Sequence, residues 1–361
     1  MKKLIYLVCL GLIAVSPAAA SDSRLVADLD RAAQWQIDHP SHARPESSDT
    51  KAWVMGVFYA GLAAYDKTGA DGHRFLPELI KVGNRNQWQL GPREYHADDL
   101  TIGQSYEDVY ETDHDPRQIT QIQKRLDHII AHPSEGPMDF RTDGVSTRWN
   151  WCDALFMAPE AWTHLSNLTG NPAYRDYAIV HWWKTSDYLY DPAEHLYYRD
   201  SRYRPGPGVT KKVFWGRGNG WVFAGLARVM ADLPVEKRPD FEKQFREMAE
   251  HLRAIQSPDG GWQPDLLHDP MHPLASEASG TALFCFGFAW GVNHGVLAAA
   301  NYGPVAERAF AYLRGCEQPD GRVTHMQPIG YKPTEYPADG TAPFGVGGYL
   351  LAGSEMLYFK K

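Results

Sequence analysis

Apolar residues recur along the chain at helical spacing, in segments of roughly ten to twenty residues, and strand-like alternation is hard to find. Two kinds of segment alternate. The first kind is mostly apolar and poor in charge: "WVMGVFYAGLAAY" from Trp53, "LTIGQSYEDVY" from Leu100, "DALFMAPEAWTHL" from Asp153, "NGWVFAGLARVM" from Asn219, "GTALFCFGFAWGV" from Gly280 and "GVGGYLLAGSEML" from Gly345. A helix that is apolar nearly all round belongs inside a protein. The second kind is amphipathic, as in 117–130, 173–189 and 240–256, and reads as outer helix.

Turn signals separate them: "KTGADG" at 67–72, "TDHDPR" at 112–117, "LTGNP" at 168–172, and Pro-Asp-Gly at both 258–260 and 319–321. Six inner segments in one chain give about 57 residues per hairpin, a period expected of helical-hairpin arrays. The pattern therefore predicts an all-α, six-hairpin toroid, an (α/α)6 barrel, with an open solenoid as the alternative. No Ser/Pro/Gly-rich linker interrupts residues 21–361, which read as one domain.

The polar residues gather where the inner segments begin. Asp98 and Asp99 precede one, Asp153 opens another, Arg217 and Asn219 open a third, and Glu277 and Ser279 precede a fourth. In a toroid these N-terminal ends share a face, so the clusters converge on one pocket. Unpaired N–H groups and helix dipoles suit such a face to an anion. Arg217 offers a fork for a carboxylate, and Trp53, Trp88, Trp149, Trp151, Trp215 and Trp221 offer flat surfaces for sugar rings. The expected ligand is a sugar acid. The residues alone leave Asp153 either a helix cap or a reacting group, and Arg217 either a ligand fork or an ion pair with Asp99.

Composition narrows the classes. Lys2 and Lys3, an apolar run from Leu4 to Val15 and Ala18-Ala19-Ala20 read as a signal peptide over 1–20, too short to be a membrane span. The protein is expected to be exported, periplasmic or secreted. Cys9 lacks the small residues that precede a lipidated cysteine, so no membrane anchor is expected. With 44 acidic against 36 basic residues and no basic run, nucleic acid is excluded as a partner. Cys152, Cys285 and Cys316 remain after cleavage, an odd number that leaves at least one thiol free.

"WGRGNGW" (215–221) puts Trp221 where a dinucleotide loop needs its last glycine, and no strand precedes it. His268 and His272 have Pro270 between them and no cysteine pair, and no G-x-S-x-G elbow occurs. No metal and no cofactor are expected.

"ADDLTIGQSY", "RWNWCDALFMAPEAW" and "FWGRGNGWVFAGLARV", in that order, resemble the unsaturated uronyl hydrolases of glycoside hydrolase family 105, over essentially the whole mature chain. The resemblance implies an (α/α)6 barrel that acts on the 4,5-unsaturated uronic acid left by a polysaccharide lyase at the non-reducing end of an oligosaccharide. It implies Asp153 as the catalytic acid and Asp98 as a second active-site aspartate. Arg217 and Trp221 then lie beside the sugar, and Asp99, Trp215, Trp151, Trp53 and Gln104 are counted with them as candidate substrate-binding residues. Arg199 stands where some members have a histidine, and is counted among the substrate-binding residues.

The C4=C5 bond of such a substrate is an enol ether: a proton to C4 and water to C5 give a hemiketal that opens and expels the aglycone. Asp153 would have to be protonated near neutral pH, against an ordinary value of about 3.9. Its apolar neighbours and a nearby carboxylate favour that, while a helix N-terminus and Arg217 oppose it. Two other readings stand beside this one. One is an ordinary inverting glycosidase or a lyase on the same fold; the other is a non-catalytic, exported protein that binds acidic glycans.

Overall fold

The computed structural model describes residues 23–40, 49–140, 147–206, 208–209, 211–267 and 274–359. The predicted signal peptide, His268 and His272 lie outside the described residues. In chain order the helices are α1 (Ser23–Asp38), α2 (Trp53–Lys67), α3 (Leu76–Arg85), α4 (Thr101–Asp113) and α5 (Arg117–Ala131). Then come α6 (Ala154–Met157), α7 (Pro159–Thr169), α8 (Pro172–Leu189), α9 (Gly216–Asp232) and α10 (Pro239–Ala254). The last three are α11 (Ala278–Asn293), α12 (Ala299–Cys316) and α13 (Pro343–Met356).

Even numbers up to α4, then α6 with α7, α9, α11 and α13, form an inner ring, each packed on the next, and α13 closes the circle against α2. The other six lie outside. The closed toroid is thus the architecture, and the open solenoid is not. The inner helices are buried on every side because their sequences are: α11 carries no charged residue in sixteen. The outer helices α5 and α10 bury one stripe each. Closure depends on two glycines. A Cβ on Gly61 of α2 would stand 2.2 Å from the Gly347 carbonyl of α13, so only glycine lets these backbones approach so closely.

One inner segment departs from the sequence pattern. Residues 154–169 do not form a single helix, because Pro159 has no N–H to donate and its ring disfavours the preceding turn; the helix breaks at Ala158. Gln104 of α4 donates through Nε2 to the carbonyls of Phe156 (2.9 Å) and Met157 (3.2 Å) at the break. A short hairpin also interrupts the helical pattern: β1 (Tyr190–Asp191) pairs with β2 (Leu196–Tyr197) and leads the chain back toward the ring's N-terminal face. Among the described residues no helix is long and apolar enough to cross a membrane.

Candidate active site

The inner helices all start on one face, and their first turns meet there. Trp53 of α2 stacks on Phe344 of α13 (5.3 Å between rings) and meets Trp221 of α9 edge-on (6.4 Å); Trp221 in turn touches Phe156 of α6 (4.9 Å). These four rings plug the ring axis and make an apolar floor. Trp221 is buried, so Trp53 is the member with surface left for a sugar.

Asp153 and Asp98 come from neighbouring segments of this face. Asp153 precedes α6 yet makes no capping hydrogen bond, which removes the ordinary reason for an aspartate there. Its position is fixed through its neighbours. Trp151 bridges Asp200, and the Cys152 N–H donates to the Arg199 carbonyl at 2.8 Å, so the strand-like segment 199–200 runs beside 151–153. Arg199 Nε therefore lies 3.3 Å from Asp153 Oδ2, and the buried Cys152 thiol donates to the same oxygen at 3.4 Å. The opposing guanidinium was expected from Arg217; the structure sets Arg199 against Asp153 instead, because the hairpin after α8 delivers it to that spot.

Asp98 sits in a 3-10 turn (Ala97–Leu100) before α4. The cap of this turn is His96, whose Nδ1 accepts from the Asp98 N–H (3.3 Å); Asp98 Oδ2 lies 3.8 Å from the same Nδ1 and 3.9 Å from Arg93 Nη2. Burial pushes Asp98 up to about 7; Arg93 opposes this, and the negative charges of Asp153 and Asp99 add to it. The His96 ring leans on Trp151 (4.8 Å) and is held down to about 4 by burial and then by Arg93, so it is neutral at physiological pH. The site thus sets a carboxyl pushed up to about 7 beside a second carboxyl that faces a guanidinium. Such a pair can donate one proton and accept another.

Several residues expected to touch a ligand are engaged elsewhere. Asp99 turns away from Asp98 and takes Arg93, with Nη2 to Oδ1 at 2.6 Å and the Arg93 N–H to Oδ2 at 2.5 Å. Its partner is thus Arg93, not Arg217. Arg217 is fully buried: it donates to the carbonyls of Gln327 and Pro328 (2.8 Å each) and to Ser279 Oγ (3.2 Å), with Glu277 at 3.7 Å. Burial lowers it to about 10, with Glu277 and Asp153 opposing, so it stays charged and pins the 327–328 loop to the face. Gln104 is buried at the helix break. Trp215 is buried with its Nε1 on Gln327 Oε1 (2.7 Å), and Trp151 is buried between His96 and Phe140, so both serve as wall. Trp88 and Trp149 pack away from this face, against Tyr106 and against Trp162 and His181. Asn219 holds the Tyr197 backbone from both sides, and Glu277 caps α11.

Sequence reasoning missed His96, Phe140, Asp200 and Arg202. Asp200 is wholly buried and accepts from Arg199 (2.7 Å) and twice from Arg202 (2.8 Å each), and both guanidiniums lie 4.5 Å from the Phe140 ring. The signal was present in "YYRDSR": an acid between two arginines beside a short strand.

The opposite, C-terminal face of the ring carries a second polar cluster around a cavity of ≈ 330 Å³. Here Lys67 bridges Asp108 and Glu111 (2.6 Å each), Arg228 pairs with Glu160 (2.7 Å) and His164 with Asp232 (3.1 Å). His164 is raised to about 9, burial being outweighed by Asp232 and the other acids. These pairs link four inner helices, α2, α4, α7 and α9, while Glu160 Oε2, His164 Nε2 and Arg228 Nε are buried without a hydrogen bond.

Comparison with known proteins agrees with the geometry. The chain is 34% identical over 351 residues to an unsaturated 3S-rhamnoglycuronyl hydrolase of Formosa agariphila, covering 93% of this chain and 91% of that protein. A solved glycosyl hydrolase family 88 protein from Bacteroides vulgatus is 30% identical with a TM-score of 0.80, over 93% of this chain and 99% of the other. A structure described as a polysaccharide lyase is also 30% identical, TM-score 0.79, over 93% and 97%. A structure described as a possible family 105 member and one described as a family 105 glycoside hydrolase, both under 25% identical, share the ring fold. The sequence model described as Glycosyl Hydrolase Family 88 matches residues 28–360, and this chain belongs to that family.

Proposed function

We propose that this glycoside hydrolase removes the 4,5-unsaturated uronic acid from the non-reducing end of lyase-generated oligosaccharides, with a rhamnose-type sugar as the adjoining residue. The observation that carries the reading is the pair Asp98 and Asp153. Two uncapped carboxyls share a buried, aromatic-floored face; one titrates near 7, and the other faces Arg199. The relatives named as unsaturated rhamnoglycuronyl hydrolases support the substrate class.

In this reading the uronate carboxylate competes with Asp153 for Arg199. A carboxylate that loses its counter-ion beside a second acid gains proton affinity, so the proton held in the pair becomes available to Asp153. Asp153 delivers it to C4 of the enol ether, and positive charge develops at C5 and the ring oxygen. Asp153, again a carboxylate, takes a proton from the attacking water, whose oxygen bonds to C5. The resulting hemiketal opens by breaking C5–O5, which leaves a ketone at C5 and a hemiacetal at C1 that still carries the aglycone. The hemiacetal collapses to an aldehyde, its C1–O bond breaks, and the aglycone leaves as an alcohol. Trp53 supplies the exposed ring face beside the sugar. Residues 1–20 support export of the enzyme to where lyase products arise.

The test is incubation with an unsaturated uronyl-rhamnose disaccharide, following the absorbance of the conjugated double bond. Hydrolysis removes this chromophore, whereas a lyase acting on intact polysaccharide creates it, so the sign of the change separates the two activities. The Asp153→Asn enzyme should fold normally and lose turnover. An unchanged rate in that variant would refute the assignment.

A further inference from the structure

The side chains leading away from Asp153 become steadily more exposed. Asp153 keeps 12% of its side-chain surface, Arg199 13% and Arg202 34%, and Tyr331 is exposed over 48% of its surface. They form a continuous wall: Arg199 touches Asp153, Asp200 ties Arg199 to Arg202, both guanidiniums share Phe140, and Arg202 lies 5.1 Å from the Tyr331 ring. Because this wall opens outward from Asp153, it offers the way out for the rest of an oligosaccharide whose terminal uronic acid is at Asp153. The proposal that follows rests on the uronyl hydrolase reading above.

Arg202 is held more firmly than binding a neutral sugar requires. Its Nε and Nη2 each donate to Asp200 at 2.8 Å and its backbone N–H donates to the same carboxylate at 3.0 Å, so the side chain is fixed before any ligand arrives. Asp200 is wholly buried while Arg202 is not, so an approaching ligand meets guanidinium and no carboxylate. The rim of Phe140, Tyr203 and Tyr331 reduces the water around it. A fixed, weakly hydrated guanidinium framed by rings suits a weakly hydrated oxyanion with several acceptor oxygens.

We propose that Arg202, oriented by Asp200, is a specificity-determining residue that reads a sulfate ester on the sugar adjoining the unsaturated uronic acid. Arg199 serves the uronate end of the substrate and Arg202 the sulfated end. The chemistry at C4 and C5 does not involve Arg202.

The experiment compares steady-state kinetics on two substrates, an unsaturated uronyl-rhamnose disaccharide carrying a sulfate ester on the rhamnose and the same disaccharide chemically desulfated. The wild-type enzyme should show a KM about tenfold lower for the sulfated form, as expected for one charge-assisted contact, with similar kcat. Arg202→Gln should bring the KM values of the two substrates together, and Arg202→Lys should recover part of the difference. The wild-type comparison does not depend on how well the variants fold. Equal KM values for the two substrates in the wild type would overturn the proposal while leaving the hydrolase reading intact. A sulfate preference that persists in Arg202→Gln would overturn the assignment to Arg202. Failure to hydrolyse either substrate would overturn both readings.

Discussion

The carboxyl of Asp98 should make the folded protein less stable as pH rises, and replacing it should reverse that. Burial raises Asp98 from 3.8 to about 7. The folded state then holds a proton between these values that the unfolded chain has released, so stability falls with rising pH across this window and the full penalty applies above about pH 7. Three units at 1.36 kcal/mol each would be about 4 kcal/mol for a group wholly out of water. Asp98 keeps 19% of its side-chain surface, and solvent screening reduces the figure to about 2 kcal/mol. Asparagine has nearly the same shape and cannot ionise. Asp98→Asn should therefore be more stable than wild type by about 2 kcal/mol at pH 8, or a few degrees in Tm for a chain of this size. The gain should vanish near pH 4.

The assay is denaturant unfolding of both proteins at pH 4, 6 and 8, with a parallel activity measurement. The variant should gain stability and lose turnover together, as when a strained group is kept for function. A stability difference that does not change with pH, or a variant less stable than wild type at pH 8, would show that Asp98 is not held protonated by its surroundings.

Other consequences can be checked with the same proteins. Asp153→Asn should lower kcat on the order of 10²–10⁴-fold in a chromophore-loss assay, with unchanged circular dichroism. The rate should decline as pH rises past about 7, and because Arg199 opposes the raised Asp98 value, Arg199→Gln should move that decline to higher pH. At the other face, His164 is raised from 6.5 to about 9, so its contribution to stability is full below pH 6.5 and lost as pH rises through 9. Asp232→Asn should flatten that alkaline loss in a Tm-against-pH series. Gly61→Ala should cost at least about 1–3 kcal/mol in unfolding experiments, since its Cβ would meet the Gly347 carbonyl at 2.2 Å.

The fold was legible because burial on every side of a helix leaves a compositional mark: six charge-poor segments became six inner helical units, and α5 and α10 kept their amphipathic stripes. What the pattern did not carry was direction. Asp98 and Asp99 are adjacent and chemically alike, yet Asp99 binds Arg93 at 2.6 Å while Asp98 stands 3.9 Å from it and feels the charge of Asp153, a choice made by the 3-10 turn that His96 caps. Arg217 opens α9 as expected, but the neighbouring start of α11 places Ser279 and Glu277 beside it, and the 327–328 loop takes its hydrogen bonds. The wall of Phe140, Asp200 and Arg202 depends on a two-residue hairpin too short to leave a periodic signal.

The arrangement at Arg199 also bears on why the site contains two carboxyls when the chemistry needs one acid. A lone buried aspartate that stays neutral would be a permanent donor, but it would also be a poor base for the water step, because regenerating its charge in apolar surroundings is costly. Two carboxyls with one proton and one guanidinium avoid that conflict. In the proposed mechanism Arg199 faces Asp153 before substrate arrives, and the proton starts on Asp98. In that mechanism an anionic sugar at Arg199 changes the counter-ion balance, so that the acid is armed only when there is something to protonate. On this argument a neutral analogue, such as the methyl ester of the unsaturated uronate, should bind the aromatic floor yet turn over far more slowly than the free acid. Equal kcat for ester and acid would mean that the substrate's own charge has no part in delivering the proton.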